Sequence, residues 1–513
     1  MSKYRNHFII AGIILLVYGY SVSYQFSPLD DSQLFADKIE WLSDITNIPA
    51  IFTATLEAGM EPTPFYRPVL VLSFMLDAII GNGSPISYHL TNILLHILVT
   101  LGIYIGMMAL LKHPRSALFW SLFFALHPLL TSAVSWIPGR NDTMITLMAL
   151  LSIYFLHKYL SIMNNKWLVL NILFLLLAVF TKEQMIFLPI IFVSVIIFMN
   201  LEKWEIFPLS IIWTFSVLLF LLVRSHFVTG SLIINIPDKF EYIKNLFSAL
   251  IISTGKLIVP SKQSVMPTFE IQSIIPGTII IIFIIFSIYR WGLKDRNFFY
   301  LGLIWYLSMV LIPLFWGTIQ DEQFEHRMYF PVVGFIIMLS QLNIMHISLN
   351  SKNLMVRNLL LVFLILFGLK AHFRSYVYED ELSFGLAAIN DSPLHSRSYK
   401  LLGDIYRLKN QPDLALDNYN IAIAIDANAA DTYNNRGDIF LKQKLYHNAV
   451  DEFTNALLIN PNYHLARNNR AVAYYFLKNY EMSDQDLQIV IASGFKAHPD
   501  FISALNQALE SSQ

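Results

Sequence analysis

Five cations stand at the ends of apolar runs in this 513-residue chain: Arg67 in "FYRP", Arg140 in "WIPGRND", Lys182 in "FTKEQ", Arg224 in "RSH" and Arg327 in "FEHRMYFP". Two carboxylates, Asp30 and Asp31, sit side by side in "FSPLDDSQLF", straight after an apolar run from Phe8 to about Tyr24 that is long enough to cross a bilayer. Taken alone, the acidic pair reads as a solvated turn, since Asp beside Pro and Ser is ordinary turn chemistry. The cations ask for more. Guanidinium forks match phosphate oxygens and an ammonium supplies a point charge, so a phosphate at headgroup level is a natural common ligand. Ion pairs with Asp142, Glu183 or Glu325 account for some of the five. A second polar set, Tyr88, His89, Asn92 and His96, recurs at helical spacing and shares one face. At membrane depth such groups face a cavity or a neighbouring helix. His127, next to Pro128, reads as structural, because a proline near a helix end frees carbonyls that an imidazole can satisfy.

Composition says what must position these residues. The apolar set makes up 55% of the chain and charged residues 14%, against about 25% charged in a soluble domain, so this is a membrane protein. A net charge of −1 gives nucleic acid no electrostatic reason to bind. With no cysteine, disulfides, thiolate metal sites and cysteine nucleophiles are excluded. Apolar runs near residues 8–25, 87–111, 116–134, 142–160, 167–181, 184–200, 206–224, 274–290, 298–316, 329–346 and 354–371 predict about eleven transmembrane helices. The first lacks a small-residue cleavage site and reads as a retained span. Lys3, Arg5, Lys112, Arg115, Lys158, Lys166, Lys203, Arg290, Lys294, Arg296, Lys352 and Arg357 all fall on one side if the N-terminus is cytoplasmic. As a span, residues 243–260 would break that alternation, so they are expected to lie in the outer interface, with Lys244 and Lys256 at the water level. The acidic pair and the five cations then share the extracytoplasmic face. The first outer loop covers 26–86 and an outer interfacial segment covers 225–273.

Beyond residue 372 the composition becomes that of a soluble domain, and a 34-residue self-similarity sets in. Tyr399, Leu402, Gly403, Tyr406, Ala415, Tyr419 and Ala422 recur as Tyr433, Arg436, Gly437, Phe440, Ala449, Phe453 and Ala456. Small residues where helices cross and aromatics where they pack are the pattern of a tetratricopeptide repeat. Repeats are predicted at about 396–429, 430–463 and 464–497, the third degenerate, in a domain spanning 373–513. Arg436 stands where Leu is expected. By span parity this tail is extracytoplasmic.

Motif order and tail together carry a resemblance. "LDD", "FYRPVLVLSF", "YHLTNILLHIL", "FALHPLLTSAVSWIPGRND", "FTKEQ" and "FEHRMYFP", followed by repeats, resemble the transmembrane and tetratricopeptide-repeat O-mannosyltransferases, GT-C glycosyltransferases, from about Asp30 to Tyr474. The resemblance implies an all-α fold, with a GT-C-type membrane domain over residues 1–372 and an α-solenoid after it. It implies an enzyme that moves a sugar, with inversion, from a polyprenyl-phosphate carrier to a protein Ser or Thr hydroxyl outside the cytoplasm, the acceptor being held by the repeats. The short loops and cysteine-free composition suit a bacterial inner membrane with the repeats in the periplasm. By the same resemblance Asp30 and Asp31 are catalytic. An inverting transfer needs a base for the acceptor hydroxyl, and Asp31 is the expected base, with Asp30 orienting it or binding a divalent cation, Mg or Mn. Arg67, Lys182 and Arg224 are the expected contacts to the donor phosphate. Tyr66, His89, Arg140, Asp142, Glu183, Glu325 and Arg327 are further site candidates.

Two other classes fit parts of the pattern. A transferase or oligosaccharide ligase acting on lipid or glycan would keep the phosphate site and change the acceptor. A non-catalytic scaffold built on the repeats would have no use for Asp30 and Asp31. A transporter would more naturally carry ionisable residues at mid-membrane and two related halves. Asp77, the acidic residue found within a long apolar stretch, is expected on an interfacial segment.

Overall fold

The computed structural model describes residues 4–26, 38–53, 65–199, 203–228, 239–260, 263, 274–311, 325–349 and 351–512, and Asp30 and Asp31 lie outside them. The chain divides into two compact units, Met1–Ser383 and Phe384–Gln513. Among the described residues all regular structure is helical, apart from an isolated bridge between Leu293 and Leu342.

The first unit is built from α1 (Arg5–Tyr18), α2 (Pro68–Gly81), α3 (Pro85–Leu111), α4 (Pro114–Ala125), α5 (Arg140–Ile162), α6 (Asn165–Val179), α7 (Leu188–Phe198), α8 (Ile206–Phe227), α9 (Lys239–Ile258), α10 (Ile274–Trp291), α11 (Arg296–Leu311), α12 (Tyr329–Ser340) and α13 (Leu354–Ser375), with short turns between. Local chemistry sets the ends. Proline opens α2, α3 and α4 at a position where its missing N–H costs nothing. Asn82, Lys112 and Met163 close α2, α3 and α5 in the left-handed conformation. Large apolar side chains such as Leu16, Ile80 and Phe215 point outward, as lipid-facing positions do.

Every one of the eleven predicted runs is helical over its described part. Among the described residues six helices are long and apolar enough to cross a membrane, and a seventh is counted if Pro114–Ala125 and Pro128–Ser135, bent by 50°, form one. Five further apolar helices are shorter among the described residues. Asn165–Val179 has 15 residues, about 22 Å of helix against a hydrocarbon core of about 30 Å. The run at 329–346 is cut at Gln341, where Lys294 donates its N–H to the Gln341 carbonyl at 2.8 Å and a separate helix begins at Asn343. The bend after Ala125 falls at His127–Pro128. There the His127 ring accepts the Leu129 N–H at 3.2 Å and its other nitrogen reaches the Leu257 carbonyl at 2.6 Å, the structural role expected of it.

Residues 246–258 of α9 pack inside the unit. A Cβ on Gly277 of α10 would overlap the Ile251 carbonyl, and Thr254 bonds the Tyr306 hydroxyl of α11 at 2.9 Å. Lys256 is buried by this packing, not held at a water surface as expected from the sequence.

In the second unit three helix pairs follow the predicted repeats: Ser396–Leu408 with Pro412–Ile425, Ala430–Lys442 with Tyr446–Ile459, and His464–Phe476 with Tyr480–Ala492. Tyr419 and Phe453 pack so closely on Gly403 and Gly437 that any Cβ there would clash. Arg436 does not weaken its repeat. It grips Glu452 through two bonds of 2.8 Å and Asn420 at 2.7 Å, and Arg470 repeats the device 34 residues on with Asp486 and Thr454.

Candidate functional site

Four separate stretches of chain deliver the site. Between α6 and α7 the backbone extends at Lys182, with φ −157° and ψ 128°, which turns its side chain back into the protein. The ammonium lies 2.7 Å from Asp142 Oδ1 and 3.2 Å from Asn141 Oδ1. Both partners stand in the first turn of α5, where the helix dipole favours a carboxylate. The next residue, Glu183, reaches the other way. Its Oε2 accepts from Arg67 Nε at 3.0 Å and faces Nη2 at 3.0 Å, while its Oε1 accepts the Tyr66 backbone N–H at 3.1 Å. Glu183 therefore fixes the extended pair Tyr66–Arg67 just before α2 begins. The Tyr66 ring stacks on Phe227 at 5.5 Å, at the end of α8, one turn beyond the buried Arg224.

Arg327 enters on the tight turn Glu325–Met328 and lies within electrostatic reach of Lys182, Asp142 and Arg67. Burial pushes the Lys182 ammonium down to about 8, Asp142 opposing and Arg327 and Arg67 adding to the shift. Burial also pushes the Arg327 guanidinium down to about 10, again against the pull of Asp142. Among the described residues three cations meet two carboxylates here, in a setting with little water to screen them.

The structure thus brings together Arg67, Lys182, Asp142, Glu183 and Arg327, with Tyr66 as part of the wall and Arg224 beside it. Asn141 belongs with them and was missed, because only charged residues of "GRND" were weighed. Arg140 does not join the cluster. Its guanidinium is fully buried, pairs with Asp77 and donates to Asn92 Oδ1 and the Tyr88 carbonyl at 2.7 Å each and to the Ser73 carbonyl at 3.2 Å. Asp77 in turn accepts from Thr91 at 2.7 Å and is buried in α2. His89 is buried against the edge of Tyr24, and Tyr88 against Phe26, at 5.9 and 5.5 Å. Both contacts are to the stem of the first outer loop. The Glu325 side chain lies outside the described ones.

A divalent ion does not fit the described cluster. Its carboxylates are already bonded to cations, and among the described residues no group of three His, Asp or Glu side chains converges. Asp30, the residue expected to bind one, lies outside them.

Two models of known families match the second unit, a TPR repeat over residues 403–444 and a tetratricopeptide repeat over 430–463. The C-terminal unit is a tetratricopeptide-repeat domain. The chain is also similar to Protein O-mannosyl-transferase TMTC3 of Mus musculus, 34% identical over 128 residues, which is 23% of this chain and 13% of the relative. Protein O-mannosyl-transferase Tmtc1 of Drosophila melanogaster is 33% identical over 123 residues, 24% and 14% of the two chains. Protein O-mannosyl-transferase TMTC2 of Homo sapiens is 40% identical over 111 residues, 21% and 13%. These alignments span about an eighth to a seventh of the relatives' own length.

Proposed function

We propose that the chain is a membrane glycosyltransferase that moves a sugar from a polyprenyl-phosphate carrier to a protein Ser or Thr hydroxyl, with inversion at the sugar carbon. The observation that carries this is the meeting of Arg67, Lys182 and Arg327 in one cluster with Asp142 and Glu183 among the described residues. Guanidinium forks and an ammonium gathered at one place match the oxygens of a phosphate, and a lipid phosphate at the membrane surface is such an anion. Relatives named protein O-mannosyl-transferases support the sugar transfer and the protein acceptor. Asp31 takes the hydroxyl proton as oxygen attacks, Asp30 orients it, and the cations hold the phosphate as charge gathers on the leaving group. The repeats hold the acceptor outside the cytoplasm.

The test is transfer by the purified full-length chain from a polyprenyl-phosphate hexose to a Ser/Thr peptide, followed by mass spectrometry, with inorganic phosphate as a competitor. No hexose gained on any acceptor overturns the proposal. The same assay yields a pH signature. A phosphodiester donor keeps its single negative charge from about pH 7 to 10, whereas Lys182 is charged below about 8 and neutral above it. Donor affinity should therefore fall by up to about tenfold per pH unit above that value, and Lys182→Arg should remove the fall. A flat wild-type profile would show that the Lys182 ammonium does not hold the phosphate.

Sidedness is testable because the native chain has no cysteine. Asn462 is exposed in the turn between two repeats, and Asn462→Cys should react with an impermeant thiol reagent in intact spheroplasts. Labelling only after lysis would put the repeats in the cytoplasm.

A further inference from the structure

We propose that His96 and Tyr329 are positioning residues for Arg327, holding its turn at the phosphate site; this rests on the donor-phosphate reading above. Both side chains are fully buried. One His96 nitrogen, Nε2, lies 3.1 Å from the Ala125 carbonyl, and the other, Nδ1, lies 2.6 Å from the Tyr329 hydroxyl. A carbonyl can only accept, so Nε2 carries the proton. Nδ1 is then the acceptor and the Tyr329 hydroxyl must donate to it. The ring is held in this orientation by Phe124, stacked at 5.9 Å, and by the edge of Tyr18 at 5.4 Å. One imidazole thus joins α3, the end of α4 and the first residue of α12.

That first residue matters because of what precedes it. Arg327 sits two positions before Tyr329, on the Glu325–Met328 turn, and α12 starts without a side-chain cap from Met328. Nothing at the cap itself pins the entry of the chain, and Arg327 is within reach of two like charges, Arg67 and Lys182. Asp142 draws the same guanidinium inward, so where the turn stands decides how these charges balance. The Tyr329–His96 bond holds the turn in place from inside the protein, at a rise of only about 2 Å per residue from the guanidinium-bearing position. His96 touches no member of the charged cluster in the described contacts, so its effect on the site passes through Tyr329.

The experiment measures binding of farnesyl phosphate to the purified full-length chain carrying Arg327→Gln, Tyr329→Phe, or both. Arg327→Gln is expected to weaken binding by about tenfold or more. Tyr329→Phe, which keeps the ring and removes the bond, should approach that loss, and the double variant should be no worse than Arg327→Gln alone. His96→Leu should weaken binding at least as much as Tyr329→Phe does, because it removes the acceptor for the Tyr329 hydroxyl together with the bond to Ala125. Tyr329→Phe within twofold of wild type, or losses that multiply in the double variant, would overturn the positioning role while leaving the phosphate site intact. Unchanged binding in Arg327→Gln would instead remove the phosphate reading, and with it this inference.

Discussion

Asp31→Asn in the purified full-length chain is expected to lower sugar transfer by about a hundredfold to ten-thousandfold, the range that a general base contributes. The substitution keeps the shape of the side chain and removes its basicity, so membrane insertion and farnesyl phosphate binding should stay near wild type. Substrate binding and chemistry are separated by this pattern: a fall in kcat with donor affinity preserved marks an interaction made in the transition state. Asp30→Asn should have a smaller effect on kcat if it only orients its neighbour. More than about half the activity left in Asp31→Asn would remove Asp31 as base and make Asp30 the next candidate.

How the charged cluster binds an anion follows from its internal pairs. Lys182 spends two of its three N–H donors on Asp142 and Asn141, and Arg67 turns one edge of its fork to Glu183. The remaining donors are aimed by these bonds, which lowers the ordering cost when a phosphate arrives. Asp142 and Glu183 thus have a positional role as well as a neutralising one. Replacing either frees a cation at the cost of its orientation, so added positive charge there does not translate simply into tighter binding.

What the sequence could reveal depended on how local the signal was. The repeats were legible because a 34-residue period carries its own internal check, and the buried Ala415, Tyr419 and Ala422 sit where the period puts them. The convergence of Arg67, Lys182, Glu183 and Arg327 was legible only as a shared face, inferred from charges at helix ends. The breaks within the apolar runs were not legible. An apolar run says how much surface avoids water, not where the helical bonds stop, and the stops at Pro128 and Gln341 depend on partners from Leu257 and Lys294. Pairing across helices was hidden for the same reason. Sequence placed Arg140 at a helix end among other cations, but its partner Asp77 comes from a helix more than sixty residues earlier, and no periodicity links the two. Asp142, expected among the partners of the five cations, pairs with one of them, Lys182, as the sequence suggested.

Arg140→Met should therefore destabilise the membrane unit by about 3–5 kcal/mol, the cost of leaving a buried carboxylate without its cation. The guanidinium joins α2, α3 and α5 through Asp77, Ser73, Tyr88 and Asn92, and lies over the Phe74 ring at 4.9 Å. Its removal orphans an acid in surroundings that cannot solvate it, and Thr91 is too weak a partner to compensate. The expected readout is loss of monodisperse protein after detergent extraction and a marked drop in the midpoint of thermal unfolding. Adding Asp77→Leu should recover part of that stability, because removing both charges costs less than removing one. Donor affinity separates this role from that of the other outer cations. In the stabilised double variant, farnesyl phosphate should bind within about threefold of wild type, since neither charge reaches the Lys182 cluster in the described contacts. A well-folded Arg140→Met protein that has lost farnesyl phosphate binding would place Arg140 in the donor site and overturn its assignment as the buried partner of Asp77.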